Sequence, residues 1–150
     1  MARIAIGSDE AGFELKGTIK KHLESMGYEV EDYGAYDTKP VLYPDIAVKV
    51  ASAIAEGRHE RGILICGTGI GMSIAANKVP GVRAAVCHDP YSAERARKSN
   101  DAQIMAIGAR VIGQELARTL VSIWLDSEFQ GGGSLPKVQR INDYDNQFRR

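Results

Sequence analysis

RGILICGTGIGMSIAANK, residues 61–78, decides the fold. Gly62 to Ile65 is a short apolar run of β-formers and Ile70 to Val79 has helical character. The turn between them carries Cys66, Thr68 and the glycines 67, 69 and 71. A strand passing through such a turn into a helix is the repeating unit of a parallel α/β sheet. The turn aims backbone N–H groups and the positive end of a helix dipole at the space above it, which suits an anion. The same field favours thiolate over thiol at Cys66, so the turn offers a base beside an oxyanion hole. Ordinary packing of a small buried cysteine is the competing reading. Nucleotide fingerprints fail: G-x-G-x-x-G would need glycine at Met72, and the Gly-Lys-Ser/Thr of a P-loop is absent.

Outward from this stretch, strand and helix signals alternate. Arg3–Ser8 reads as a strand and about Ala11–Met26 as a helix with Leu15, Ile19, Leu23 and Met26 on one face. Tyr28–Tyr33 is a second strand, and Pro44 starts a helix striped by Ile46, Val50, Ala51 and Ile54. Val82–Cys87 is a fourth strand, Tyr91–Lys98 a largely exposed helix, and Ala102–Ile107 a fifth strand. Gln114–Glu128 follows as a helix burying Leu116, Leu120, Ile123 and Trp124. A last helix from Pro136 carries Val138, Ile141, Tyr144 and Phe148, which face either local core or a second copy of the chain. The pattern predicts a Rossmann-like, doubly wound α/β fold: five parallel strands in the order 2-1-3-4-5, plus an extra C-terminal helix. Ligands of such sheets sit at the carboxyl ends of the strands where the order reverses. Here that places Ser8–Gly12 and Cys66–Gly71 on one crevice.

The 150 residues fit one domain that buries about 70% of its unfolded surface. Nineteen acidic and nineteen basic residues leave no net field for nucleic acid or an anionic membrane. No apolar run reaches the roughly 20 residues of a membrane span, and the N-terminus enters a strand rather than a signal peptide, so a cytoplasmic protein is expected. Cys66 and Cys87 are expected as free thiols. The dispersed His22, His59 and His88 make no metal site, and no cofactor is implied.

Four segments, IAIGSDEAGF (4–13), Tyr43-Pro44, ILICGTGIGMSIAANKVPGVRAA (63–85) and the 99–113 region, resemble the ribose-5-phosphate isomerase B and galactose-6-phosphate isomerase family over nearly the whole chain. The resemblance implies aldose–ketose isomerisation of sugar phosphates through a cis-enediolate, without metal. It also implies a homodimer, or a dimer of dimers, whose site borrows residues from the partner. Cys66 then matches the base that shuttles the carbon-bound proton, and Thr68 the hydroxyl that helps move a proton between O1 and O2. The amides around Gly67, Gly69 and Gly71 match the anion site, and Asp9 and Tyr43 match contacts to sugar hydroxyls. Asn100 and Arg110 match substrate contacts supplied by the second subunit.

Three departures stand beside these matches. Glu10 occupies a position that is usually histidine in ribose-5-phosphate isomerases B, and a carboxylate there repels phosphate unless it is turned away or paired with a cation such as Arg110 or Lys137. Ser99 replaces the histidine credited with opening the sugar ring. Gly133-Ser134 replaces Arg-His, leaving Lys137 where a second phosphate-binding arginine usually stands. Loss of the ring-opening group is costly for a furanose but not for erythrose 4-phosphate, whose O4 is esterified. A tetrose phosphate is therefore the expected substrate, with ribose 5-phosphate or galactose 6-phosphate as alternatives. His88, near the crevice, is a candidate replacement for ring opening. A non-catalytic phosphate-binding subunit is the rival class, against which the retained Cys66 and Thr68 argue.

Overall fold

A computed structural model describes residues 3–149; Met1 and Ala2, part of the expected direct entry into a strand, lie outside the described residues. The elements are β1 Ile4–Ser8, α1 Phe13–Ser25, β2 Val30–Asp32, α2 Tyr43–Ala55, β3 Gly62–Cys66, α3 Ile70–Ala76, β4 Ala84–Val86, α4 Pro90–Lys98, β5 Ile104–Gly108, α5 Gln114–Asp126 and α6 Leu135–Phe148, with a single 3-10 turn at Gly132–Ser134 before α6. The strands form one parallel sheet with apolar cores on both faces, as the near-continuous apolar sequences of β1, β3 and β5 require.

Alternation along the strands divides the core. Ile4, Ile6, Ile63, Ile65, Met105 and Ile107 point toward α1 and α5, where they meet Leu15, Ile19, Leu23, Leu120 and Trp124. Ala5, Leu64, Cys66, Ile104 and Ala106 point toward α2 and α3 and meet Ile46, Val50, Ile54 and Met72. Each such Ile or Leu contributes about 1.5–3 kcal/mol by leaving water. The two cysteines fall on opposite faces, and both are free thiols as expected.

The strand order is β2-β1-β3-β5-β4, not the expected 2-1-3-4-5. β5 consists of five fully buried residues and pairs over its whole length with β3, from Gly62 opposite Ile104 to Cys66 opposite Gly108. β4 has three half-buried residues and takes the edge. A strand apolar on both sides belongs inside, and the short one outside. The edge of β4 is capped at Ala84 by side chains of α3 and its C-cap: Asn77 Nδ2 donates to Ala84 O at 2.9 Å while its Oδ1 accepts from Ala84 N–H at 2.8 Å, and Ser73 Oγ donates to the same carbonyl at 3.2 Å. The reversal between β1 and β3, where the crevice was expected, is present.

Three helix faces differ from the periodicity reading. α5 buries Ala117, Leu120, Val121, Trp124 and Leu125, and leaves Leu116 exposed. Ala117, Leu120, Val121 and Trp124 stand at i, i+3, i+4 and i+7, and the small alanine lets the helix approach the sheet. α4 is less exposed than expected: Ala93 and Ala96 pack inward, and Arg97 is buried with its guanidinium donating to Ala102 O at 2.9 Å. On α6 only Val138 is buried, whereas Ile141, Tyr144 and Phe148 are exposed, Phe148 at 76%. The reading of Phe148 as local core does not hold within one chain.

Candidate active site

Cys66 ends β3 and is buried to 4% exposure, on the α2/α3 side of the sheet. Its Sγ accepts a hydrogen bond from the Gly69 N–H at 3.1 Å. Gly69 makes this geometry available, since its φ of 79° is left-handed. Thr68 is exposed between them, and its Oγ1 accepts from the Ile70 N–H at 3.2 Å.

The turn is locked from β5. Ala109 N–H donates to Cys66 O at 2.8 Å and Arg110 N–H to Gly67 O at 3.0 Å. Gly108 lies so close that a Cβ there would stand 2.6 Å from Thr68 Cα, so this strand must end in glycine. His88 backs the same point: its Nε2 accepts from the Gly108 N–H at 2.9 Å, which commits that nitrogen to the unprotonated form. Burial pushes the His88 imidazole below its ordinary value, against the pull of Asp89. His88 thus supports the turn from behind. His88 was read from sequence as a candidate for ring opening, and here its Nε2 is engaged by the Gly108 amide; Gly108 was not singled out, its only signal being a glycine ending the buried run of β5, which becomes meaningful only once β5 lies beside β3.

Asp9 comes from the end of β1. Its N–H donates to Ile65 O at 3.2 Å, and its Oδ1 accepts from the Gly12 N–H at 3.0 Å. Burial raises the Asp9 carboxyl above the usual range and the Glu10 charge adds to this, while the Gly12 amide and the Arg110 guanidinium oppose it. Tyr43, the first residue of α2, lies across the start of α3: a Cβ on Gly71 would stand 2.5 Å from its ring. Glu10 Oε1 accepts from the Val41 N–H at 3.0 Å.

Arg110 requires a correction. It was expected from a second subunit, yet its Nη1 stands 3.4 Å from where a Gly67 Cβ would be, in the same chain. The cause is the strand order, because β5 beside β3 delivers Arg110 to the cysteine turn. Ser99 and Asn100 behave differently. They follow α4 at the amino-terminal edge of the sheet, where Arg83 Nε donates to Asn100 O at 3.3 Å, and so they face away from Cys66 of their own chain. Lys137 is exposed on the first turn of α6, a helix anchored by Asp145 on Gly81 and by Arg149 on Asn77 and Lys78. A cavity of about 610 Å³ lies between α3 and α6 and does not include Cys66. No metal-binding cluster occurs among the described residues, and none of their helices is long and apolar enough to cross a membrane.

A glycine-bound sulfur, an adjacent hydroxyl, a buried carboxyl and a guanidinium gather at a parallel-sheet crevice in a chain whose relatives are named as sugar-phosphate isomerases, which makes it an enzyme of the aldose–ketose isomerase class. The chain belongs to the ribose/galactose isomerase family, which it matches over residues 4–141. It is 58% identical over 149 residues to the D-erythrulose-4-phosphate isomerase of Pectobacterium atrosepticum, covering 98% of this chain and 97% of that protein. It is 54% identical to the ribose-5-P isomerase B of Listeria innocua, covering 98% and 99%. The solved structure of Clostridium thermocellum ribose-5-phosphate isomerase B superposes with a TM-score of 0.95 at 49% identity, over 97% of this chain and 99% of that one.

Proposed function

We propose that this enzyme interconverts an aldose phosphate and its ketose, with D-erythrulose 4-phosphate and D-erythrose 4-phosphate as the preferred pair. The observation that carries the choice of substrate is the identity of residue 99. Serine has no group that titrates near neutrality, so position 99 cannot act as a ring-opening acid or base there, and a tetrose phosphate with its O4 esterified needs none. The 58% identity to a protein named for erythrulose 4-phosphate supports the same choice.

In this reading the Cys66 thiolate removes the proton from the carbon beside the carbonyl. The negative oxygen of the enediolate is held by amides of the Gly67–Gly71 turn, which are fixed in place before reaction. Thr68 relays a proton between O1 and O2, and the Cys66 thiol returns its proton to the neighbouring carbon, so nothing is consumed. Asp9 and Tyr43 hold sugar hydroxyls, and Arg110 is placed to fork onto phosphate oxygens. Ser99, Asn100 and Lys137 reach the substrate only from the second subunit of a homodimer, since each sits away from Cys66 in its own chain. The enzyme works in the cytoplasm.

A panel of four-, five- and six-carbon sugar phosphates in deuterated water tests the proposal. The expected result is highest kcat/KM on the tetrose phosphate, deuterium entry at C1 or C2, and loss of both in Cys66→Ser. Preference for ribose 5-phosphate would reject the substrate, and the 54% identical relative named for it makes that the second reading. Full turnover in Cys66→Ser would reject the base.

A further inference from the structure

The segment between β2 and α2 is thinly held. Residues 36–45 are all exposed, and α2 begins to bury side chains only at Ile46. Pro40 and Pro44 have no N–H to donate. Within residues 37–42 the Asp37 carboxylate accepts from the Lys39 N–H at 3.0 Å, and the Leu42 carbonyl accepts from the nearby Asp45 N–H at 3.1 Å. Among the described hydrogen bonds of these residues, one alone reaches a distant part of the chain: Val41 N–H to Glu10 Oε1, bridging 31 positions.

That bond falls at a telling place. Leu42 is the N-cap of α2 and offers no side-chain cap, so the helix start has no local acceptor. The Glu10 carboxylate arrives from the end of β1, engages the amide one residue before the cap, and brings negative charge to the positive end of a thirteen-residue helix. Immediately beyond is Tyr43, whose ring closes over Gly71 at the head of the cysteine turn.

We propose that Glu10 is a positioning residue: a latch that holds residues 37–42, and through them Tyr43, against the cysteine turn. Its effect on turnover rests on the isomerase reading, whereas its effect on the loop does not. Substrate that docks on Tyr43 would therefore sense the loss of Glu10 as weaker binding, with the chemistry at Cys66 left intact.

Hydrogen exchange of the ligand-free protein, read on peptides covering residues 37–42, separates the latch from catalysis. Glu10→Ala is expected to speed exchange of that segment about tenfold, the size expected from one lost charge-assisted hydrogen bond. Glu10→Gln keeps an acceptor and is expected to restore most of the protection. With tetrose phosphate as substrate, Glu10→Ala should raise KM several-fold with kcat within about twofold, and Glu10→Gln should recover most of that loss. Unchanged exchange in Glu10→Ala overturns the proposal. So does a Glu10→Gln variant that keeps the loop protected yet shows the full KM defect, because the charge would then be touching substrate directly. Absence of turnover in the unmodified enzyme would reject the isomerase reading while the exchange result still decides the latch.

Discussion

Gly108→Ala adds one methyl group at the point where β5 supports the cysteine turn. The new Cβ would stand 2.6 Å from Thr68 Cα, 2.7 Å from Thr68 C and 2.8 Å from Gly67 O. Unstrained contacts between carbons lie at about 3.5–4.0 Å, so strand and turn must separate by roughly 1 Å. All three obstructing atoms are backbone, and no side chain can rotate away to absorb the change. Separation stretches the bonds from Ala109 to Cys66 O and from Arg110 to Gly67 O, and moves Thr68 relative to the sulfur. Overpacking of this kind costs about 1–3 kcal/mol, which for a chain of this length lowers Tm by about 3–10 °C. Displacement of catalytic groups by about 1 Å costs on the order of 100-fold in rate. The assay is paired: a thermal melt, and kcat/KM on the tetrose phosphate, with the fall expected mainly in kcat. Gly113→Ala is the control, since nothing lies within 4 Å of its Cβ position, and its cost should stay within about 1 kcal/mol. A Gly108→Ala enzyme as stable and as fast as the parent would refute the account of how the turn is held.

Two further outcomes are expected. Because burial depresses His88 in the folded protein, its contribution to stability is complete above pH about 6.5, the value of an unperturbed histidine. That contribution is lost as pH falls through the depressed folded value, since only the unfolded chain takes up the proton in that window. Urea melts at pH 7.5 and 5.5 should show a smaller pH dependence in His88→Gln, and identical slopes would reject the assignment. Lys16, 2% exposed, binds Asp32 Oδ1 at 2.8 Å and donates to Ala35 O, whereas Lys20 reaches Asp32 Oδ2 from a position 35% exposed. Lys16→Ala should destabilise by about 3 kcal/mol and Lys20→Ala by less than about 1 kcal/mol, read from urea midpoints; equal losses would contradict the burial argument.

Much of this arrangement is written in residue periodicity. The apolar run ILIC followed by glycines marks a buried strand and its turn without reference to the rest of the chain, and alternating strands and helices imply a parallel sheet. The pairing of Asp9 with Cys66 at the β1/β3 reversal follows from those two facts. What periodicity does not encode is lateral order. Nothing local to IMAIG or AAV says which lies beside β3, because that depends on how completely each is covered in the final packing. The assignment of Arg110 to a second subunit came from the family resemblance and not from the strand order; its guanidinium lies beside Gly67 of its own chain. At Glu10 the residue type warned of repulsion from phosphate, whereas the acceptor it offers to Val41 depends on a loop conformation with no sequence signature. On α5, an aliphatic residue at position 116 satisfied the helical spacing equally well, and only the close approach permitted by Ala117 fixes which stripe turns inward.

The side-chain amide of Asn77, mated to both polar groups of Ala84, has an effect beyond β4 itself. It occupies the hydrogen-bonding rim that an incoming strand from another molecule would need, and at the far rim β2 is three residues long with Glu31 and Asp32 among them. Addition of a further strand is thereby disfavoured at both rims, which blunts a common route to fibrous aggregation.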